Sequence, residues 1–211
     1  MAKKEVPVDH IQYFLPDGTG PAVMAWLHKY DVHLTVARER RSILGDYRHK
    51  THHHNHRISV NGNLNKYAFL ITLLHELAHL LTFEQHGNGV AAHGKEWKKL
   101  FGFMLKDFVE KKVFPPDIEN ELRISLHNPG ASSCAEEGLI RVLRKYDPAS
   151  SDNRLVEEIP MQGLFSIPGN RIFRKMEKMR KRFKCMEIAT EKIYLFSPVF
   201  EVISITEGPP A

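Results

Sequence analysis

The 211-residue sequence contains only two cysteines, Cys134 and Cys185. That is too few for the disulfide framework of a small secreted domain, and at 51 positions apart they cannot form a complete cysteine zinc knuckle. Both are expected to be reduced thiols. An uninterrupted apolar run of membrane length is also missing. The longest apolar stretch, LITLLHELAHLLTF from Leu70 to Phe83, is cut by His75, Glu76 and His79, which excludes a membrane-spanning helix there. The opening MAKKEVPVDH has no apolar leader segment, so a cytoplasmic protein with no membrane partner is expected. No internal repeat is visible. With 42% hydrophobic and 26% charged residues, the chain can bury one good core and a small second unit.

Positive charge is concentrated. Residues 171–184, RIFRKMEKMRKRFK, hold eight Lys/Arg against one Glu, a local +7 within a net +5. The rest of the chain is therefore slightly acidic, at about −2. Arg171, Arg174, Lys175, Lys178, Arg180, Lys181, Arg182 and Lys184 alternate with Ile172, Phe173, Met176, Met179 and Phe183. A strand pair of this kind suits phosphate contacts with occasional base stacking, so single-stranded or double-stranded DNA is the candidate partner. A solvated hairpin face is the plainer alternative. Five of the thirteen histidines, His49, His52, His53, His54 and His56, crowd into HKTHHHNH, which reads as a solvated loop before a second metal site.

Along the chain, AVMAWLHKYD reads as a short helix, VHLTVAR as a strand, and RISVNG as a second strand with Ile58 and Val60 facing one way. RISVN is also a candidate edge for an extended substrate. Asn63 or Asn65 can cap a helix running to about Gln85, where His86-Gly87-Asn88-Gly89 stops it. The next helix carries Trp97, Phe101, Met104 and Phe108 at helical spacing and ends at Pro115-Pro116. After Asn128-Pro129-Gly130 the texture changes. Ser133 to Glu136 reads as a capping box opening a helix to about Tyr146, followed by the loop DPASSDN. Beyond Gly163 the chain alternates as strands, with a hairpin at Thr190-Glu191. A boundary is expected near residues 129–150.

Inside the apolar helix, His75 and His79 lie one turn apart on one face, with Glu76 rotated about 100° from His75. This HExxH pattern places two imidazoles on a metal and a carboxylate beside it. The helix is apolar all round and should be buried, where three unpartnered polar groups would each cost about 1–3 kcal/mol. A metal supplies the partner. A catalytic zinc takes three protein ligands and leaves one position for water. His86, Glu96 and His93 are candidates for the third. His86 would fall about 10 Å beyond His79 if the helix persists, whereas Glu96 suits a gluzincin arrangement and His93 starts the second helix. A metzincin would need Gly and His where Thr82 and Gln85 stand.

HELAHLLTFEQHGNGVAAHGKEWKKLF resembles the SprT-like (Spartan-like) metallopeptidases: an HExxH helix, an intervening loop, and HGxxW opening the next helix. LTVARERRSILGDYRHK followed by HRISVNGNLN is similar to the family's strand pair, so the resemblance spans roughly residues 20–114. It implies His93 as third ligand beside His75 and His79, one zinc ion, and a zinc-activated water with Glu76 as general base. The implied fold is α+β: a zincin-like domain of short strands plus the HExxH helix over 1–130, then, over 131–211, a helix and a small degenerate zinc-ribbon-like β-hairpin unit. That unit lacks the ribbon cysteines. FSIPGN stands where the first knuckle would lie, and Cys185 alone remains of the second. Apolar packing is expected to replace the metal.

The function so implied is a zinc metallopeptidase, a hydrolase acting on nucleic-acid-associated or flexible proteins. Its partners would be a protein or peptide substrate and DNA. The alternative is a non-proteolytic zinc-containing nucleic-acid-binding accessory protein of transcription or DNA metabolism. An intact Glu76 favours the enzyme, since a structural site needs no general base. Trp97 and Phe101 read as packing, and Tyr47 in GDYR as a side chain whose direction the sequence does not give.

Overall fold

A computed structural model describes residues 8–40, 43–126, 128–148 and 153–205. Arg41 and Ser42 of the SprT-like segment and residues 149–152 of the expected DPASSDN loop lie outside them. The chain divides into two units, Met1–Asp147 and Pro148–Ala211.

In the first unit a 3-10 turn (Val8–Phe14) precedes helix α1 (Gly20–Lys29), which has Pro21 in its first turn. Strands β1 (Val32–Ala37), β2 (Gly45–Arg48) and β3 (His56–Asn61) form a sheet in the order β1-β3-β2. β1 runs parallel to β3 with Leu34 opposite Ile58, and β2 runs antiparallel to it with Tyr47 opposite Ile58. Ile58 and Val60 point into the core, as the two-residue alternation requires. β3 is thus the centre of the sheet. The expectation that RISVN offers a free edge fails because both sides of β3 are already paired, and the outer strands are β1 and β2.

Helix α2 (Lys66–His86) runs through the core, with Phe69, Leu70, Leu73, Leu74, Leu77 and Leu80 all at 0–1% exposure. The Asn65 side-chain oxygen accepts from the backbone N–H of Tyr67 and Ala68 at 3.1 and 3.0 Å, satisfying two of the free donors of the first turn. At the other end Gly87, at φ +59°, donates its N–H to Phe83 O, a positive-φ stop that glycine adopts without strain. Helix α3 (Lys95–Glu110) lays Trp97, Phe101, Met104, Leu105 and Phe108 against the same core.

Helix α3 stops at Glu110, short of the expected end at Pro115-Pro116, and the proline pair instead begins another helix. Pro116 is the first residue of α4 (Pro116–Ser125), a position where the missing N–H costs nothing. Helix α5 (Glu137–Leu143) starts later than the proposed capping box, and Glu136 accepts instead from the Gly130 N–H at 3.1 Å. Leu139 and Leu143 sit in the first core, and Asn65 Nδ2 donates to Leu143 O and to Asp147 Oδ1. The helix placed with the C-terminal unit in the 1–130/131–211 division therefore packs with the first unit.

The second unit is larger than a hairpin. Strands β4 (Asn153–Leu155), β5 (Leu164–Ile167), β6 (Arg171–Met179), β7 (Arg182–Glu187), β8 (Ile193–Phe196) and β9 (Glu201–Ile205) form one antiparallel sheet, ordered β4-β9-β5-β6-β7-β8. The β7–β8 connection turns at Thr190-Glu191, with Glu191 at φ +55°. Phe165, Phe173, Phe183, Cys185, Phe196 and Val202 make a separate apolar core. Burial pushes the Cys185 thiol up to about 11, away from the thiolate a metal requires. Among the described residues no helix is long and apolar enough to cross a membrane.

Candidate metal centre

Three imidazoles converge at the middle of α2. His75 and His79 project from one face of the helix, and the turn after Gly87 brings back His93, just before the Gly94 cap of α3. Their Nε2 atoms lie 3.2 Å (His75 to His79), 3.1 Å (His79 to His93) and 3.3 Å (His93 to His75) apart. Zinc–nitrogen bonds of about 2.0–2.1 Å at tetrahedral angles would put neighbouring nitrogens about 3.3–3.4 Å apart. Each imidazole nitrogen bonds in its ring plane to one partner, so three meeting at one point are best satisfied by a shared cation. The residues fit zinc, and among the described residues this is the one histidine, cysteine or carboxylate group able to hold a metal.

Electrostatics keeps these rings in the ligating form. Burial lowers His75 to about 3, with His79 and His93 adding to the shift. Burial and then His93 lower His79 to about 4, and burial followed by Lys98 lowers His93. Neutral imidazoles with free lone pairs are what a metal needs. Behind them stands Trp97, fully buried, with its ring 4.6, 4.7 and 5.3 Å from those of His75, His93 and His79. Phe101 lies 5.5 Å from His75. The packing expected of Trp97 and Phe101 is therefore packing against the three histidines themselves.

Glu76 is 5% exposed and faces the same groove of about 580 Å³ as the histidines. Burial raises its carboxyl to about 8, Asp46 adding to the rise and Arg40 opposing it. β2 forms the facing wall. A methyl group at Gly45 would lie 2.5 Å from Glu76 Oε1 and 2.8 Å from Thr72 Cγ2, so glycine is what lets the strand approach the carboxylate. Sequence reading missed Gly45, since nothing in GDYR marks a glycine needed for close approach.

Tyr47 also lines the groove and stacks over His79 at 6.5 Å, but its hydroxyl is engaged, lying 2.9 Å from His56 Nδ1. The Lys50 N–H donates to the same nitrogen at 3.3 Å, which assigns the His56 proton to Nε2, 3.3 Å from Glu84. Of the histidine crowd, His56 turns inward while His52, His53 and His54 stay exposed and His49 stacks on Phe83. Glu96 stands 3.8 Å from Lys95 Nζ and His86 is exposed at the end of α2; neither joins the cluster.

The basic stretch divides by face. Lys175 is 3% exposed, donates to Ile159 O and Glu157 O, and sits 4.0 Å from the Phe183 ring. It is withdrawn from any phosphate because its position on β6 alternates into the core. Arg171 is engaged by Glu187 at 2.6 Å, and Lys184 by Glu177 at 3.1 Å. Arg174, Lys178, Arg180, Lys181 and Arg182 remain exposed.

Short strands, an HExxH helix and a returning histidine bring together, in an α+β unit, three imidazoles that could hold one metal ion. Residues 23–114 match the model of the SprT-like family. No curated protein and no solved structure gives a match.

Proposed function

We propose that the chain is a zinc metalloendopeptidase of the SprT-like type, acting on flexible or nucleic-acid-associated proteins. The observation that carries this reading is the 3.1–3.3 Å triangle of His75, His79 and His93 nitrogens with Glu76 in the same groove. When bound, zinc lowers the pKa of a water molecule toward neutrality and polarises a carbonyl.

The chain's own groups supply the rest. The buried Glu76 carboxylate, in the same groove as the three histidines, would take a proton from attacking water and return it to the leaving amine. Trp97 and Phe101 hold the rings in place and shut out solvent behind them. β2, one of the two outer strands of its sheet, lines the groove and offers main-chain donors and acceptors to an extended substrate. Such pairing selects unfolded polypeptide over any one sequence. The exposed cations Arg174, Lys178, Arg180, Lys181 and Arg182 would bring the enzyme to nucleic acid, the single-stranded or double-stranded DNA partner.

The test is Glu76→Gln. That protein should keep its zinc and its fold while losing about 10²- to 10⁴-fold in hydrolysis of an unfolded protein substrate. Cleavage at the parental rate would remove Glu76 from the mechanism.

A further inference from the structure

Lysines spaced along a helix do not form a run in sequence, and α3 carries such a set. Lys95, Lys98, Lys99, Gly102, Phe103 and Lys106 follow one another at helical spacing and lie on a single stripe. They line a groove of about 660 Å³ with Arg123 and Leu126 from α4 and its end. No acidic side chain contributes to that lining. Gly102 explains the groove's depth, because a methyl group there would meet Leu126 O at 2.6 Å.

The charges are weakly compensated. Lys98 Nζ donates to the neutral amide oxygen of Asn128 at 2.6 Å, and Lys99 has no acidic partner among the described residues. Lys106 and Glu110 are 3.6 Å apart with both side chains about 60% exposed, a pairing worth little in water. Lys95 reaches only to 3.8 Å from Glu96. Only Arg123 is firmly held, by Glu119 at 2.8 Å. Among these cations Phe103 is 71% exposed, while Phe101 and Met104 beside it are buried. A single exposed apolar residue is ordinary. A ring flanked along one stripe by Lys99 and Lys106 is the pairing used for single strands, in which cations follow the backbone and an aromatic face receives a base.

We propose that this groove binds a segment of single-stranded nucleic acid, with its phosphates along Lys95, Lys98, Lys99 and Lys106 and one base stacked on Phe103. The choice of partner rests on the reading above; the site lies on the catalytic unit and uses none of the residues named there. A duplex keeps its bases inside and cannot use the ring.

The test is fluorescence anisotropy of a labelled oligothymidine, about twelve nucleotides long, with the full-length zinc-loaded chain across a salt series. Phe103→Ala should weaken binding by roughly 5- to 150-fold and leave the salt dependence unchanged. Phe103→Trp should restore it. Lys98→Ala with Lys99→Ala should flatten the slope of log affinity against log salt by roughly 0.7 per lost contact. Affinity for a blunt duplex should not respond to Phe103→Ala. These side chains are at the surface, and unchanged zinc content and circular dichroism verify the fold of each variant.

Parental affinity and slope in both variants overturn the proposal. So does an equal loss on single strands and duplex, which indicates a general charge effect, or a loss of self-association with DNA binding intact, which indicates a protein interface. Replacing Arg174, Lys181 and Arg182 by Ala is measured in parallel. Binding lost only in that variant removes the groove and keeps the nucleic-acid-directed reading, whereas a parent chain that binds no oligothymidine removes both.

Discussion

Replacing Gly45 by Ala adds one methyl group where β2 faces α2. Its carbon would stand 2.5 Å from Glu76 Oε1, 2.8 Å from Thr72 Cγ2 and 2.9 Å from Glu76 Cγ. Ordinary contact begins near 3.4 Å, so the carboxylate or the strand must move by about 0.9 Å. A misplacement of about 1 Å at a reacting group can cost about 10²-fold in rate, and overpacking a core typically costs about 1–3 kcal/mol. For a chain of this size that is a fall in melting temperature of roughly 2–4 °C per kcal/mol. Gly45 has no positive φ, so the effect is steric. The three atoms nearest such a methyl belong to Glu76 and Thr72 rather than to a histidine, so zinc should be retained. The assay is hydrolysis of a quenched unfolded substrate, with zinc by elemental analysis and a thermal melt on the same preparation. Full activity in Gly45→Ala would refute the idea that β2 holds Glu76 in register; lost activity with lost zinc would move the effect to the metal.

His93→Ala should lose the metal while Glu96→Ala keeps it, as read by zinc content after dialysis; the reverse result would make Glu96 the ligand. Cys185→Ser should leave zinc content unchanged, because the thiol lies in the apolar core of the second unit; a drop in zinc would refute that. Arg171, followed by Thr190, holds the Glu187 carboxyl at about 2, below its ordinary 4.5. The stabilisation is therefore present above about pH 4.5 and lost as pH falls toward 2. Thermal melts of Glu187→Gln should lag the parent at neutral pH and converge with it in that acid window; a gap that persists at pH 2 would rule the pair out as its cause.

Helix α2 was legible because several independent signals agree there: an asparagine cap, leucines on every face, two histidines at i and i+4, and a glycine stop. His93 needed the resemblance, because periodicity cannot say where a helix returns after a flexible turn. β2 was obscured by being four residues long and half polar, and it becomes a strand only through its partner β3. Pro115-Pro116 reads equally as an end or a beginning, and α4 uses it as the latter. Lys175 was read as a phosphate contact because a charge usually marks the solvent face. Here two carbonyl oxygens and the Phe183 ring stabilise the ammonium inside. The α3 lysines escaped notice for the opposite reason, since helical spacing dilutes them among core residues.

Asn65 has a consequence for how the polypeptide can be cut. Its oxygen caps α2, while its nitrogen reaches residues 78 and 82 positions downstream, Leu143 and Asp147. The family match stops at residue 114, but an excised fragment ending there would lose both acceptors and leave the seats of Leu139 and Leu143 open to water. The smallest portable form of the first unit therefore extends to Asp147, and the peptide bond after it is the natural place to join a different domain.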